Sequence, residues 1–213
     1  MDGQHPADWG PPVRRLVAAA FVSLDGVMQA PGGPEEDPSE DFALGGWTAP
    51  FWDEETTPFD NVFSQSYDLL LGRKTYDIFA GYWPRPPNDQ TPIGEAFNRV
   101  TKYVVTSSPD TLQWANSVAI GGEVLGRIRT LKEGDGPMLL TQGSSVLLHA
   151  LLAHDLIDEL RLMIFPVVLG TGKRWFGAGS HPSAFALERS HTSKTGVITG
   201  VYRRNGEIQT GSF

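Results

Sequence analysis

Between residues 60 and 170 the chain alternates short apolar runs of strand length with amphipathic runs of helical length. This alternation predicts parallel strands joined by helices, because a helix is the usual crossover between neighbouring parallel strands. Two further runs, near 185–193 and 197–204, flank Gly196 and predict an antiparallel pair. We therefore predict an α/β fold with a mainly parallel central sheet, helices on both faces and antiparallel C-terminal strands.

The predicted strands are apolar runs bounded by turn residues. The first, RLVAAAFVSL, opens the ordered chain near Arg14 and ends at the pair Asp25-Gly26. The later strands are predicted at 67–71, 102–106, 117–120, 137–141 and 160–169. Helices are predicted from Thr57-Pro58 to about Ser66, and over 74–82, 93–100, 122–133 and 144–153.

The chain has 213 residues, enough for one ordinary domain, and we expect residues 13–213 to form it after a flexible leader at 1–12. Residues 26–50 are rich in glycine and proline and contain the acidic stretch Glu35-Glu36-Asp37, which predicts a long loop. Loops of this length are uncommon in compact domains and often act as lids over a functional site.

Composition excludes several classes of function. The net charge of −8 disfavours nucleic acid as a partner, because such proteins need a basic face. The absence of cysteine excludes disulfides, thiolate zinc sites and cysteine nucleophiles, and the histidines have no metal-site spacing. No apolar run approaches the ~20 residues of a membrane span, and the N-terminus has no signal-peptide core, so we expect a cytoplasmic protein.

Three predicted strand-to-helix junctions carry small or hydroxyl residues: 71–75 (LGRKT), 106–108 (TSS) and 141–145 (TQGSS). In open α/β sheets, ligands bind beyond the carboxyl ends of the strands, and free N–H groups at helix starts favour phosphates. Each junction taken alone is also consistent with ordinary helix capping and turn chemistry. Together, and with the basic pair Arg73-Lys74, they predict a ligand with several phosphates or a dinucleotide.

The usual nucleotide fingerprints are absent, because no G-x-G-x-x-G follows the first strand and GGEVLGR (121–127) lacks the lysine of a phosphate-binding loop. The second junction has no acidic residue of the kind that selects an unphosphorylated ribose. Ser107, Ser108 and Arg73 suit a 2′-phosphate instead, so NADP(H) is favoured over NAD.

Candidate acids for proton transfer are Asp25, at the end of the first strand, and the group Asp53, Glu54 and Glu55. Simple alternatives are that Asp25-Gly26 is a turn and that 53–55 is a solvated helix start. The nearby Trp47, Phe51 and Trp52 are candidates for walling a flat heteroaromatic substrate, although aromatic side chains more often belong to a core.

These motifs resemble the dihydrofolate reductase-like superfamily, and more closely the reductase domain of riboflavin-biosynthesis proteins, the RibD C-terminal type. The resemblance rests on VSLDG, LLLGRKTYDIF, KYVVTSS and the run from LLTQGSS to VLGTGKRWF, and it covers residues 14–204 in order. It implies an α/β sandwich, NADPH as the hydride donor, a small-molecule substrate and a homodimer.

The resemblance also implies roles for matched residues. Gly72, Arg73, Lys74 and Thr75 match the segment that holds the pyrophosphate and 2′-phosphate, and Thr106, Ser107 and Ser108 match the segment beside the adenosine phosphate. Gly143, Ser144 and Ser145 match a glycine-rich turn under the pyrophosphate and nicotinamide, and Gly170 and Thr171 match a loop near the coenzyme. This chain has one glycine where the family usually has two or three, and Ala19 where riboflavin-type reductases carry a lysine.

The resulting hypothesis is an NADPH-dependent reductase of a small, pterin- or pyrimidine-like heterocycle, in which loop 26–50 excludes water. Asp25 is the first candidate catalytic residue and Glu54 the second, while Ser23 and Trp52 are predicted to contact the substrate. Two alternatives stay open. One is a non-catalytic NADP(H)- or nucleotide-binding module on the same fold, and the other is a hydrolase or lyase that uses the cleft without a coenzyme.

Overall fold

The structure is a computed structural model that describes residues 14–54, 56, 58–177 and 179–212. The predicted leader at 1–12, Glu55 and Thr57 lie outside the described residues. The strands are β1 (Leu16–Ser23), β2 (Tyr67–Gly72), β3 (Lys102–Val105), β4 (Ser117–Ile120), β5 (Met138–Gln142), β6 (Glu159–Phe165), β7 (Phe185–Thr192) and β8 (Ile198–Arg204). The α-helices are α1 (Arg73–Tyr82), α2 (Pro92–Arg99), α3 (Val124–Glu133) and α4 (Ser145–Ala153).

The eight strands form one sheet in the order β4-β3-β2-β5-β1-β6-β8-β7. The strands from β4 across to β6 are parallel, whereas β8 runs antiparallel to both β6 and β7. The predicted mainly parallel sheet with antiparallel C-terminal strands is confirmed.

The strand β1 is buried on both faces, which explains its continuous apolar sequence. Its alternate residues enter two different clusters, with Val17 and Ala19 on one face and Ala18 and Ala20 on the other. The helices α1 and α2 pack on the first face through Tyr76, Phe79 and Phe97. The helices α3 and α4 pack on the second face through Ile128, Leu148 and Leu151. The sheet therefore brings the helix starts that follow β2 and β5 to its carboxyl edge.

Two predicted elements were wrong. Instead of an α-helix, residues Pro58–Ser64 form a short 3₁₀ segment in which Phe59 has a φ of 49°. The buried Arg161 fixes this shape by donating to the Phe59 carbonyl oxygen at 3.1 Å, so a tertiary contact overrides the local signal. The strand predicted over 160–169 ends at Phe165, because Pro166 has no N–H to continue the ladder.

The long loop predicted at 26–50 is confirmed; its regular structure is two short 3₁₀ turns, Ser39–Asp41 and Ala49–Phe51, and an isolated bridge between Val27 and Arg174. Its own polar groups brace it. The Gln29 side chain donates to the carbonyl oxygens of Asp37 and Ser39 at 3.0 and 2.9 Å, and Trp47 Nε1 donates to the Gln29 carbonyl oxygen at 2.8 Å. Within the described part of the chain, every helix is too short or too polar to span a membrane.

Candidate functional site

A cavity of about 280 Å³ lies where β1, β2 and β5 end, between loop 26–50 and the starts of α1 and α4. The carboxyl ends of parallel strands are the expected place for a ligand in a sheet of this kind. Its lining includes both apolar and polar residues. The apolar wall is formed by Ala20, Phe21, Ile78 and Phe79, and the polar wall by Arg73, Lys74, Thr75, Gly143, Ser144, Ser145 and Lys173.

The first and third predicted junctions contact each other across the sheet. The backbone N–H of Gly72 donates to Ser144 Oγ at 2.9 Å, and the N–H of Ser144 donates to Thr75 Oγ1 at 3.0 Å. No N-cap side chain hydrogen-bonds the start of α1 or of α4. The first backbone N–H groups of both helices are therefore available to an anion in the cavity.

Gly143 is required at its position by backbone geometry. Its φ is +69°, in the left-handed region that favours glycine, and a Cβ there would lie 3.3 Å from Thr75 Oγ1. The next residue, Ser144, is also left-handed, with a φ of 56°. These two residues turn the chain so that α4 points its N-terminus toward the cavity.

Arg73 joins this cavity to a second groove of about 690 Å³ at the carboxyl ends of β3 and β4. The groove is lined by the second predicted junction, Thr106, Ser107 and Ser108, and by Gly121 and Gly122. Arg73 Nη1 lies 3.5 Å from Thr106 Oγ1 and 2.5 Å from Thr111 Oγ1, and its Nε donates to Asp77 at 2.9 Å. The structure therefore brings all three predicted junctions onto one surface.

Two lysines and one carboxylate fasten the loop to this surface. Asp37 accepts from Lys74 Nζ at 2.5 Å and from Lys173 Nζ at 2.6 Å, and the Ser39 hydroxyl donates to it at 2.6 Å. Burial alone would raise the pKa of Asp37, but the hydrogen bonds from Lys173, Lys74 and Ser39 hold the pKa well below its ordinary value. Asp37 is thus an anion at neutral pH, and its one negative charge lies between the two positive charges of Lys74 and Lys173.

Sequence reasoning missed Glu36, the neighbour of Asp37, which lines the cavity from the loop side. Burial raises the pKa of the Glu36 carboxyl, an effect that the backbone N–H of Gly32, donating at 2.6 Å, partly opposes. It also missed Lys173, which lies about 100 residues beyond Lys74 in the chain. The acidic stretch in a glycine-rich loop was the available signal for Glu36, whereas nothing local marks Lys173.

Asp25 lies outside both cavities and joins β1 to the loop after β6. Its carboxylate accepts from the Ser23 hydroxyl at 2.6 Å and from the N–H groups of Leu169 and Gly170 at 3.1 and 2.9 Å. The Ser23 hydrogen bond is the main cause that lowers the pKa of Asp25 to about 2. Ser23, Gly170 and Thr171 line neither cavity, and the structure joins Asp25, Ser23 and Gly170 into a separate anchor beside the site.

The other predicted contacts are also outside the cavity lining. Glu54 is exposed and borders neither the 280 Å³ cavity nor the groove at the ends of β3 and β4. Trp52 is 39% exposed and packs edge-on against Phe21, with ring centroids 5.6 Å apart. Phe21 in turn stacks on Phe59 at 4.6 Å and contributes to the apolar wall. Trp52 therefore supports that wall from behind.

Solved structures share this fold at low sequence identity. A riboflavin biosynthesis protein from a Shewanella species is 18% identical, with a TM-score of 0.67 over 90% of this chain and 99% of that one. Dihydrofolate reductase from Enterococcus faecalis, solved with NADP(H), is 19% identical, with a TM-score of 0.52 over 90% of this chain and 96% of that one. These likenesses confirm the predicted dihydrofolate reductase-like fold.

Sequence relatives extend over nearly the same length. The uncharacterised protein YyaP of Bacillus subtilis is 26% identical over 195 residues, which is 91% of this chain and 96% of that protein. A second uncharacterised Bacillus subtilis protein, YwjB, is 28% identical over 159 residues, or 75% of this chain and 80% of that protein. The family model of the RibD C-terminal domain matches residues 14–199. The chain therefore belongs to the RibD C-terminal domain family.

Proposed function

We propose that the protein is an NADPH-dependent reductase that transfers a hydride to a small, pterin- or pyrimidine-like heterocyclic substrate. The observation that carries the proposal is the continuous surface on which Arg73 links two uncapped helix starts to the hydroxyl-rich groove. Uncapped helix starts with a nearby arginine are a general solution for binding phosphates. Family membership and the shared fold support a reductase.

The residues present fit this coenzyme. The backbone N–H groups at the starts of α1 and α4 would hold the pyrophosphate, in the segments 72–75 and 143–145. Arg73, with the hydroxyls of 106–108, would hold the 2′-phosphate, and the groove beside Gly121 would take the adenosine end. When bound, NADPH supplies the hydride, and the protein has to hold the acceptor ring close to it.

The chain's own contribution is to position the ring and exclude water. Phe21, Ile78 and Phe79 give the cavity an apolar wall, and loop 26–50, fastened by Asp37, covers it. We assign Asp25 a positioning role, since its carboxylate holds the loop at 169–170 against the end of β1. A proton-transfer role for Glu54 stays a prediction, as do substrate contacts by Ser23 and Trp52.

The test is the coenzyme preference of Arg73→Ala. We expect its NADPH affinity to fall by roughly 10- to 100-fold, because a charge-assisted hydrogen bond contributes about 1.5–3 kcal/mol. NADH affinity should change far less, because NADH has no 2′-phosphate. Isothermal titration calorimetry with both coenzymes measures this, and Arg129→Ala, an exposed arginine on α3, controls for the loss of charge. An equal loss for NADPH and NADH would contradict the assignment.

A non-catalytic NADP(H)-binding module is the second candidate. One observation favours it, namely that neither predicted catalytic acid, Asp25 or Glu54, lines the cavity. Tight NADPH binding without oxidation across a panel of pterin and ribosylaminopyrimidine substrates would support this candidate. Failure to bind any dinucleotide would favour the hydrolase or lyase alternative. We further propose a homodimer, which light scattering after size-exclusion chromatography would test.

A further inference from the structure

The side chain of Gln142 ends in an amide that the fold leaves without a partner. Its Oε1 atom is buried and unpaired, and the amide makes no hydrogen bond to any residue that the structure describes. Gln142 is the last residue of β5, directly before Gly143, and it lines the 280 Å³ cavity. Buried polar groups in native proteins are nearly always hydrogen-bonded, so an orphan inside a cavity requires an explanation.

The strand geometry sets the face on which this amide lies. Gln142 is in register with Ala19 of β1, and it alternates along β5 with Thr141. It therefore shares a face with Leu140, whose apolar cluster includes Phe79 and packs against Phe21. The amide is thus placed beside the apolar wall, on the side of the sheet covered by α1.

The surroundings of the amide define the ligand that it suits. An apolar wall with two phenylalanines favours a flat ring. A primary amide offers one acceptor and two donors in one plane, so it pairs best with a ring edge that presents a donor beside an acceptor. A lactam, with adjacent N–H and C=O groups, has this edge.

We propose that Gln142 is a specificity-determining residue that hydrogen-bonds the lactam edge of the substrate ring. The proposal rests on the proposed function, because it places the acceptor ring in the same cavity. It also explains why a half-buried glutamine retains a buried, unpaired amide oxygen: a site built for one ligand leaves its polar group unpaired when that ligand is absent.

The experiment compares two flat bicyclic probes, lumazine, which carries lactam groups, and quinoxaline, which does not. Binding of each is titrated by calorimetry to the wild type, to Gln142→Met and to Thr141→Val, with and without NADP⁺. Thr141 is a matched control, because its Oγ1 is also buried and unpaired but does not line the cavity. Thermal unfolding of each free protein confirms that it folds, and Gln142→Leu replaces Gln142→Met if that variant does not.

The wild type should bind lumazine more tightly than quinoxaline, and Gln142→Met should lose roughly tenfold in lumazine affinity and hence the preference. Thr141→Val should keep the preference for lumazine over quinoxaline. Removing the orphan amide should also raise the melting temperature of the free protein by about 2–4 °C. The proposal is overturned if the wild type shows no preference, if Gln142→Met retains it, or if that variant is less stable. If the wild type does not bind NADP⁺, the coenzyme assignment is refuted. The lumazine titrations without NADP⁺ then still decide the role of Gln142.

Discussion

Replacing Asp37 by asparagine tests whether the charged cluster holds loop 26–50 in place. The substitution preserves the size of the side chain and removes its charge. Asp37 is 8% exposed, and it is the shared acceptor of Lys74, Lys173 and Ser39. The variant therefore loses the ionic part of these contacts and leaves two lysines without their anion.

The contacts are of unequal strength. The Lys173 side chain is 21% exposed, and a hydrogen bond between charged groups of this kind contributes about 1.5–3 kcal/mol. The Lys74 side chain is 54% exposed, so solvent screening limits its ion pair to about 0–1 kcal/mol. Because asparagine keeps one acceptor oxygen, we expect a net loss of about 2 kcal/mol in the free energy of unfolding. For a domain of this size the melting temperature should fall by about 4–8 °C.

Urea unfolding followed by tryptophan fluorescence at pH 7 measures the loss, with Glu35→Gln as the control, an exposed carboxylate in the same loop. The pKa of Asp37 is lower in the folded than in the unfolded state, so its stabilisation is present above pH ~4 and is lost as the pH falls further. The gap between wild type and Asp37→Asn should therefore narrow toward pH 2. The reasoning is refuted if Asp37→Asn is no less stable than Glu35→Gln at pH 7, or if the gap does not change with pH.

Two further substitutions test side chains that hold backbone segments in place, Lys102 at the amino end of β3 and Asp25 after β1. Lys102 is fully buried, and its Nζ donates to three backbone carbonyl oxygens around the end of α2 at 2.8–3.1 Å, so Lys102→Met should lower the free energy of unfolding in urea by about 2–3 kcal/mol. An unchanged midpoint would show that these carbonyls do not depend on the lysine. Asp25→Asn turns an acceptor of two backbone N–H groups into a partial donor and should cost about 1–3 kcal/mol in the same assay. If Asp25→Asn abolished turnover at full stability, Asp25 would be catalytic and not a positioning residue.

Local patterns predicted most of the sheet, because buried parallel strands are short apolar runs and their ends are marked by glycine or hydroxyl residues. The parallel arrangement alone implied that junctions 71–75 and 141–145 would meet at one edge. The segment 58–64 escaped prediction because its shape depends on Arg161, about 100 residues away, and no local signal reveals that contact.

The sequence predicted those parts of the candidate site in which backbone N–H groups at helix starts are the binding groups. Helix starts after strands can be recognised from residue type, whereas the partner of a carboxylate cannot. Asp25 and Asp37 are both acids beside glycine- or proline-rich turns in the sequence, yet one holds a backbone loop and the other holds two lysines. Glu36 and Asp37 are neighbours in the chain, yet burial raises the pKa of Glu36, whereas two lysines lower the pKa of Asp37. This difference depends on how the whole loop folds.

The reciprocal hydrogen bonds between Gly72, Thr75 and Ser144 tie two segments some 70 residues apart into one rigid corner. A shift of either segment would break these hydrogen bonds. A phosphate that binds at this corner would therefore find its N–H donors already oriented, without rearrangement of the chain. In the proposed reductase, substitutions in the ring pocket beyond this corner can therefore change the substrate while the coenzyme contacts stay the same.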